Sequence, residues 1–146
     1  MEDWKLATDR LRCSSNFFGK PRYDYIIFKA DESGTMKYGR LKEVFIVPTA
    51  DLEKKYPIAF IDVLEVPHGS RSHVDSDLGL CRLRKVQDRN RSTMFIHVRS
   101  IVRGALVVRD HGSVGTSRAY EDYFAIDIID GDMFLRCQKY FPHWYA

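Results

Sequence analysis

The chain has 146 residues, 45% of them apolar and 13% aromatic, with a net charge of +3. That is chain enough for one domain with a sizeable core, and its apolar content excludes whole-chain disorder. Three widely spaced cysteines, Cys13, Cys81 and Cys137, exclude a disulfide scaffold and a zinc ribbon; no signal-peptide core is visible, and no apolar run reaches the roughly 20 residues that span a bilayer.

Taken in order, residues 2–12 have helical spacing, with Trp4, Leu6, Ala7 and Leu11 on one side and acids before bases. Residues 13–22, CSSNFFGKPR, are punctuated as a loop, with Phe17 and Phe18 expected to anchor it to the core. Residues 22–30 and 36–47 read as two strands of a hairpin around the Asp31–Gly34 turn. Residues 56–66 form a third strand, apolar on both faces and therefore central. Residues 67–77, PHGSRSHVDSD, are the most loop-like stretch. Residues 78–86 alternate as a strand, with Arg82 and Arg84 on one face and Cys81 and Leu83 on the other.

The longest apolar run, residues 93–108 (TMFIHVRSIVRGALVV), reads as two strands or one bent strand, with Gly104 as the expected bend. A polar loop follows over 110–119, then a strand over 123–129. Asp130 or Asp132 caps a short C-terminal helix that Pro142 ends. The aromatic tail HWYA is expected to pack back onto the body. The expected organisation is a single domain over 1–146: a helical lead-in (1–21), a β core (22–130), and a C-terminal helix and tail (131–146). The fold class is mainly β, a small curled sheet or partly open barrel with short terminal helices.

Charge is unevenly distributed. Residues 1–70 hold 11 Lys/Arg against 11 Asp/Glu, residues 71–118 hold 10 against 4, and residues 119–146 hold 2 against 5. The basic middle third is dominated by arginine, which suits recognition of phosphate or carboxylate. Arg82, Arg84, Lys85, Arg89, Arg91, Arg99 and Arg103 are the candidate phosphate-binding residues, with exposed aromatics adding base stacking. The competing reading pairs these arginines with the acidic C-terminal third. Tyr23, Tyr25 and Tyr38, with Phe45, are candidates for an aromatic cage around a cationic peptide side chain.

Catalytic signatures are weak. Residues 112–117, GSVGTS, lack the lysine and the strand-to-helix context of a phosphate loop, and neither H-E-x-x-H nor G-x-S-x-G occurs. Asp122, Asp127, Asp130 and Asp132, with His73, are the alternative: carboxylates that would hold Mg²⁺ in a small nuclease. His68, His73, Asp75 and Asp77 share one loop, where a metal site or acid–base pair is conceivable. The main expectation is no catalytic residue, no metal and no cofactor. His97 reads as a sheet histidine.

Five segments carry a resemblance: FFGKPRYDY (17–25), YPIAF (56–60), LGLCRL (78–83), IHVRSIVRGALVV (96–108) and DIIDGDMFLR (127–136). In this order they resemble the C-terminal region of proteins encoded by Plavaka-type DNA transposons of basidiomycete fungi, over about residues 13–136. The resemblance implies an accessory module, with the transposase carboxylates in a separate upstream domain. The strand pattern is also similar, at fold level, to the SH3-like barrels of bromo-adjacent homology domains of chromatin proteins. The third strand departs from that pattern, with FIDV in place of a W-F-Y segment, so no cage residue carries over. The resemblances imply a partner that is DNA or RNA, a histone or other chromatin peptide, or further domains of a larger protein. The three cysteines, read as reduced thiols, with no signal-peptide core and no bilayer-length apolar run, give the expectation of an intracellular location, cytoplasm or nucleus and preferentially the nucleus, with no membrane.

Overall fold

The computed structural model describes residues 9–113 and 121–146. Strands β1 (Cys13–Phe17) and β2 (Lys20–Tyr23) form a separate two-stranded ribbon. The main sheet comprises β3 (Tyr25–Lys29), β4 (Met36–Pro48), β5 (Lys55–Glu65), β6 (Cys81–Lys85), β7 (Thr93–His97), β8 (Ile101–Ala105), β9 (Val107–Arg109) and β10 (Asp122–Ala125). Two helices, α1 (His73–Asp77) and α2 (Gly131–Tyr140), are added to it.

The strand order is β8-β3-β4-β5-β6-β10-β9, and all pairings are antiparallel. β7 and β6 share one edge of β5: β7 pairs along Ile58–Asp62, and β6 joins only at Leu64 and Glu65. A single 3₁₀ turn, Val98–Ser100, carries the chain from β7 to β8, which pairs with β3. The sheet therefore curls back on itself, with a turn rather than a ladder between β7 and β8. It is a mainly β domain in the form of a curled, open sheet.

Side chains alternate across each strand, so the curled sheet has two apolar faces. One side holds Ile26, Phe28, Leu41, Ala59, Ile61, Val63, Val86 and Ile96. Packing there is tight enough that a Cβ on Gly39 would stand 2.3 Å from Ile61 Cγ2 and 2.9 Å from Phe28 Cε1. The opposite side buries Ile27, Tyr38, Leu64, Cys81 and Leu83 under α2 and the C-terminal tail, including Met133, Cys137, Phe141 and Trp144. Tyr38, 1% exposed, keeps its hydroxyl paired at 3.1 Å from Cys137 Sγ, which offsets the cost of burying it. Asp130 caps α2 by accepting from Met133 N at 2.8 Å.

Several boundaries differ from the sequence reading. Of the expected N-terminal helix, residues 2–8 lie outside the described residues, and residues 9–12 are not helical. The loop expected over 13–22 is the β1–β2 ribbon. Phe18 does not anchor it: it stands 94% exposed at the apex. The bend in the long apolar run falls at Val98–Ser100 and at Leu106, not at Gly104. Gly104 serves close approach instead: its N–H donates to Asp9 Oδ2 at 3.0 Å, and an added Cβ would meet Leu11 at 3.1 Å. The expected loop over 67–77 includes α1, and the last strand ends at Ala125, before a 3₁₀ turn at Asp127–Ile129. Most of the GSVGTS stretch lies outside the described residues.

Candidate functional site

The arginines fall into two groups. Arg82 and Arg84 are two apart on β6, so both project from the same face. Cross-strand pairing with β10 sets Arg84 opposite Asp122 and Arg82 opposite Phe124. Arg84 grips Asp122 bidentately, with Nε–Oδ1 at 2.7 Å and Nη2–Oδ2 at 3.0 Å. Arg82 grips Asp75 bidentately at 2.6 and 2.9 Å, and its Nη1 reaches Asp110 at 2.8 Å and Asp122 at 3.1 Å. Its guanidinium also lies over the Phe124 ring. Arg103 is held by both oxygens of Asp130, at 2.7 and 3.0 Å, and by Asp132 at 2.8 Å.

These are satisfied, charge-assisted clamps that tie α1, β6 and β10 together and join β8 to α2. Asp75 and Asp122 are buried carboxylates. Hydrogen bonding to Arg82 holds Asp75 below the usual carboxylate range despite burial. For Asp122, burial alone would raise the value, but Arg84 and Arg82 outweigh it and lower it. Arg82, Arg84 and Arg103 therefore spend their charge inside the chain, as the pairing alternative anticipates.

The second group brackets β7. Arg89 and Arg91 lie in the turn before it and Arg99 just after it, and all three are exposed. Arg91 reaches Glu65 at 3.1 Å but keeps most of its surface open. Arg89 and Arg99 take part in no ion pair among the described residues. Lys85 ends β6, half-buried.

The acidic cluster is dispersed. Asp122 is paired as above, and Asp127 accepts from the Tyr145 hydroxyl at 2.6 Å. Asp130 combines the α2 cap with Arg103, and Asp132 is shared by Arg103 and Arg136. Arg103 holds the Asp130 carboxyl down at about 2. Among the described residues, no group of three or more His, Cys, Asp or Glu is placed to share a metal ion. His73 and Asp77 sit in α1 and His68 in the preceding loop, all exposed, while Asp75 belongs to the Arg82 clamp.

The tyrosines do not form one cage. Tyr38 is in the core. Tyr23 carries Lys42 Nζ at 4.2 Å from its ring centroid, with Arg40 at 5.3 Å, and Arg40 also lies 5.5 Å from the Tyr25 ring. Cations of the chain itself occupy those faces. A cavity of about 530 Å³ opens between the 66–72 loop, α1, β6 and the tail, lined by Pro67, Val74, Leu80 and Trp144 with Arg71 and Arg84. Arg71 is committed to backbone carbonyls there, those of Trp144, Asp75 and Leu80.

The sequence reading missed a partly exposed aromatic ladder. On the face of β4, β5 and β7 opposite Ala59 and Ile61, register sets Phe60 opposite Phe95, Phe45 opposite Ile58, and Val47 opposite Tyr56. Phe95 is 67% exposed, with its ring centroid 4.9 Å from Phe60 and 6.0 Å from Phe45. Tyr56 stands edge-on to His97 at 6.4 Å. The alternation that creates this row was visible in the sequence. Which part of that face α2 and the tail would leave uncovered was not.

A scan of protein-family models, a search of curated proteins and a search of solved structures each find no match to this chain.

Proposed function

We propose that this chain is a non-catalytic binding module that takes single-stranded nucleic acid on the aromatic face of β4, β5 and β7. The observation that carries the reading is the exposed Phe95 ring, packed against half-buried Phe60 and edge-on to half-buried Phe45, and bracketed by basic residues. Aromatic side chains on a sheet surface offer π-faces to successive bases, and alanine substitution of such contacts costs about 1–3 kcal/mol per base. Arg91 and Arg99 each lie four residues from Phe95, in the turns at either end of β7. That placement suits phosphates on either side of a stacked base. Glu43 stands opposite Phe60 and would repel phosphate, so the backbone of the ligand runs along the β7 side.

The arginine surface invoked here is thus Arg89, Arg91 and Arg99, with Arg82, Arg84 and Arg103 as its internal frame. The resemblance to transposon-encoded proteins fits an accessory nucleic-acid module in the nucleus, beside a catalytic domain elsewhere. The test is fluorescence anisotropy of a labelled single-stranded 15-mer with wild type, F95A and R99Q. Weakening of about tenfold in F95A with an unchanged melting temperature supports the reading. Unchanged binding in both variants refutes it.

A second reading has its own observation. Val44 and Ile46, on the opposite face of the same hairpin, are also exposed, Ile46 at 62%. An apolar hairpin open on both sides suits docking onto another domain of a larger protein. Chain association that I46D abolishes while nucleic-acid binding stays absent would favour it.

A further inference from the structure

The β1–β2 ribbon closes through a two-residue turn, Phe18-Gly19, between the paired residues Phe17 and Lys20. Both turn residues have positive φ, +50° at Phe18 and +81° at Gly19. Hairpins of this type strongly favour Asn-Gly, because the first residue must occupy the left-handed region. For a bulky aromatic that region is a genuine outlier, and such outliers concentrate at functional positions. Folding gains little from burying the ring, which is 94% exposed and lies edge-on to Phe17 at 4.6 Å. The chain thus keeps a strained, solvent-facing phenyl where asparagine would fit better.

The surroundings indicate what the ring meets. Residues 10–23 carry Arg10, Arg12, Lys20 and Arg22 and no acidic residue. The guanidiniums of Arg12 and Arg22 lie 5.3 and 5.1 Å from the Phe17 ring centroid, just behind the apex. Asp24 offsets part of the Arg22 charge at 3.3 Å, leaving the ribbon net cationic. An apolar plane projecting from a cationic stem is complementary to a base flanked by phosphates. An anionic lipid surface shares the charge, but stable insertion there needs more apolar area than one ring supplies.

We infer that the β1–β2 ribbon is a second nucleic-acid contact, in which Phe18 stacks on an unpaired base while Arg12, Lys20 and Arg22 meet the adjoining phosphates. The inference rests on the nucleic-acid reading above and uses residues other than those of the β7 face. It is tested with F18N, which suits the turn, alongside F18W and F95A, by anisotropy on the single-stranded 15-mer, thermal melting, and sedimentation with phosphatidylserine vesicles. The expected result is a higher melting temperature for F18N, binding about tenfold weaker, and binding retained in F18W. Wild-type affinity in F18N with loss in F95A overturns the ribbon contact and leaves the β7 site standing. Absence of binding by wild type at low salt overturns both. Vesicle binding that F18N abolishes, with DNA binding unchanged, assigns the ribbon to lipid and also overturns the inference.

Discussion

Asp122 is the residue on which the clamp network turns. It is 1% exposed and receives three hydrogen bonds from two guanidiniums. Removing one partner of a buried ion pair leaves an uncompensated charge and costs about 3–5 kcal/mol. D122N should destabilise by that order in chemical denaturation, and R84Q should do the same from the other side. The pH dependence has a definite sign. Asp75 and Asp122 titrate below their unfolded value of about 3.9, so the stability they contribute is present above that pH and is lost as pH falls through their folded values. Wild type should therefore lose stability below about pH 4, and D122N should lose less of its own over the same range. Gly39 gives a steric counterpart. G39A forces Ile61 and Phe28 apart and should cost about 1–3 kcal/mol or more by thermal melting.

Among the elements, β5 shows what alternation can and cannot convey. Its central position was legible, because Ile58, Phe60 and Leu64 beside Asp62 on one face, and Ala59, Ile61 and Val63 beside Glu65 on the other, leave both faces largely apolar. Its aromatic display was not. Phe60 and Leu64 are equivalent in pattern, yet only Leu64 lies beneath α2 and the tail. The β1–β2 ribbon was illegible for a different reason: its ladder is backbone pairing around Asn16 and Gly19, with no apolar alternation to announce it. The Arg82/Arg84 alternation was readable, as was its rival pairing with acids. Only the register that sets Arg84 against Asp122 decides between them. At this scale, Glu43 beside the ladder supplies a prediction of opposite sign. E43Q should tighten single-strand binding a few-fold, read by anisotropy, because it removes a like charge from the phosphate path.

For the whole molecule, the basic composition overstates the surface available to an anion. Arg82, Arg84 and Arg103 are internal, and the net charge of +3 is carried by the rim of β7, the ribbon and scattered lysines. A small number of phosphate contacts implies a moderate salt dependence, with a slope of about −0.7 per contact on single strands. Three contacts, from Arg89, Arg91 and Arg99, give roughly a tenfold to twentyfold loss between 50 and 200 mM salt. The decisive measurement is anisotropy of the wild-type chain with labelled single-stranded DNA and RNA at those two salt concentrations. Binding at 50 mM that weakens by that factor at 200 mM is the result the β7 interface predicts. No binding at 50 mM, or binding indifferent to salt, would contradict it.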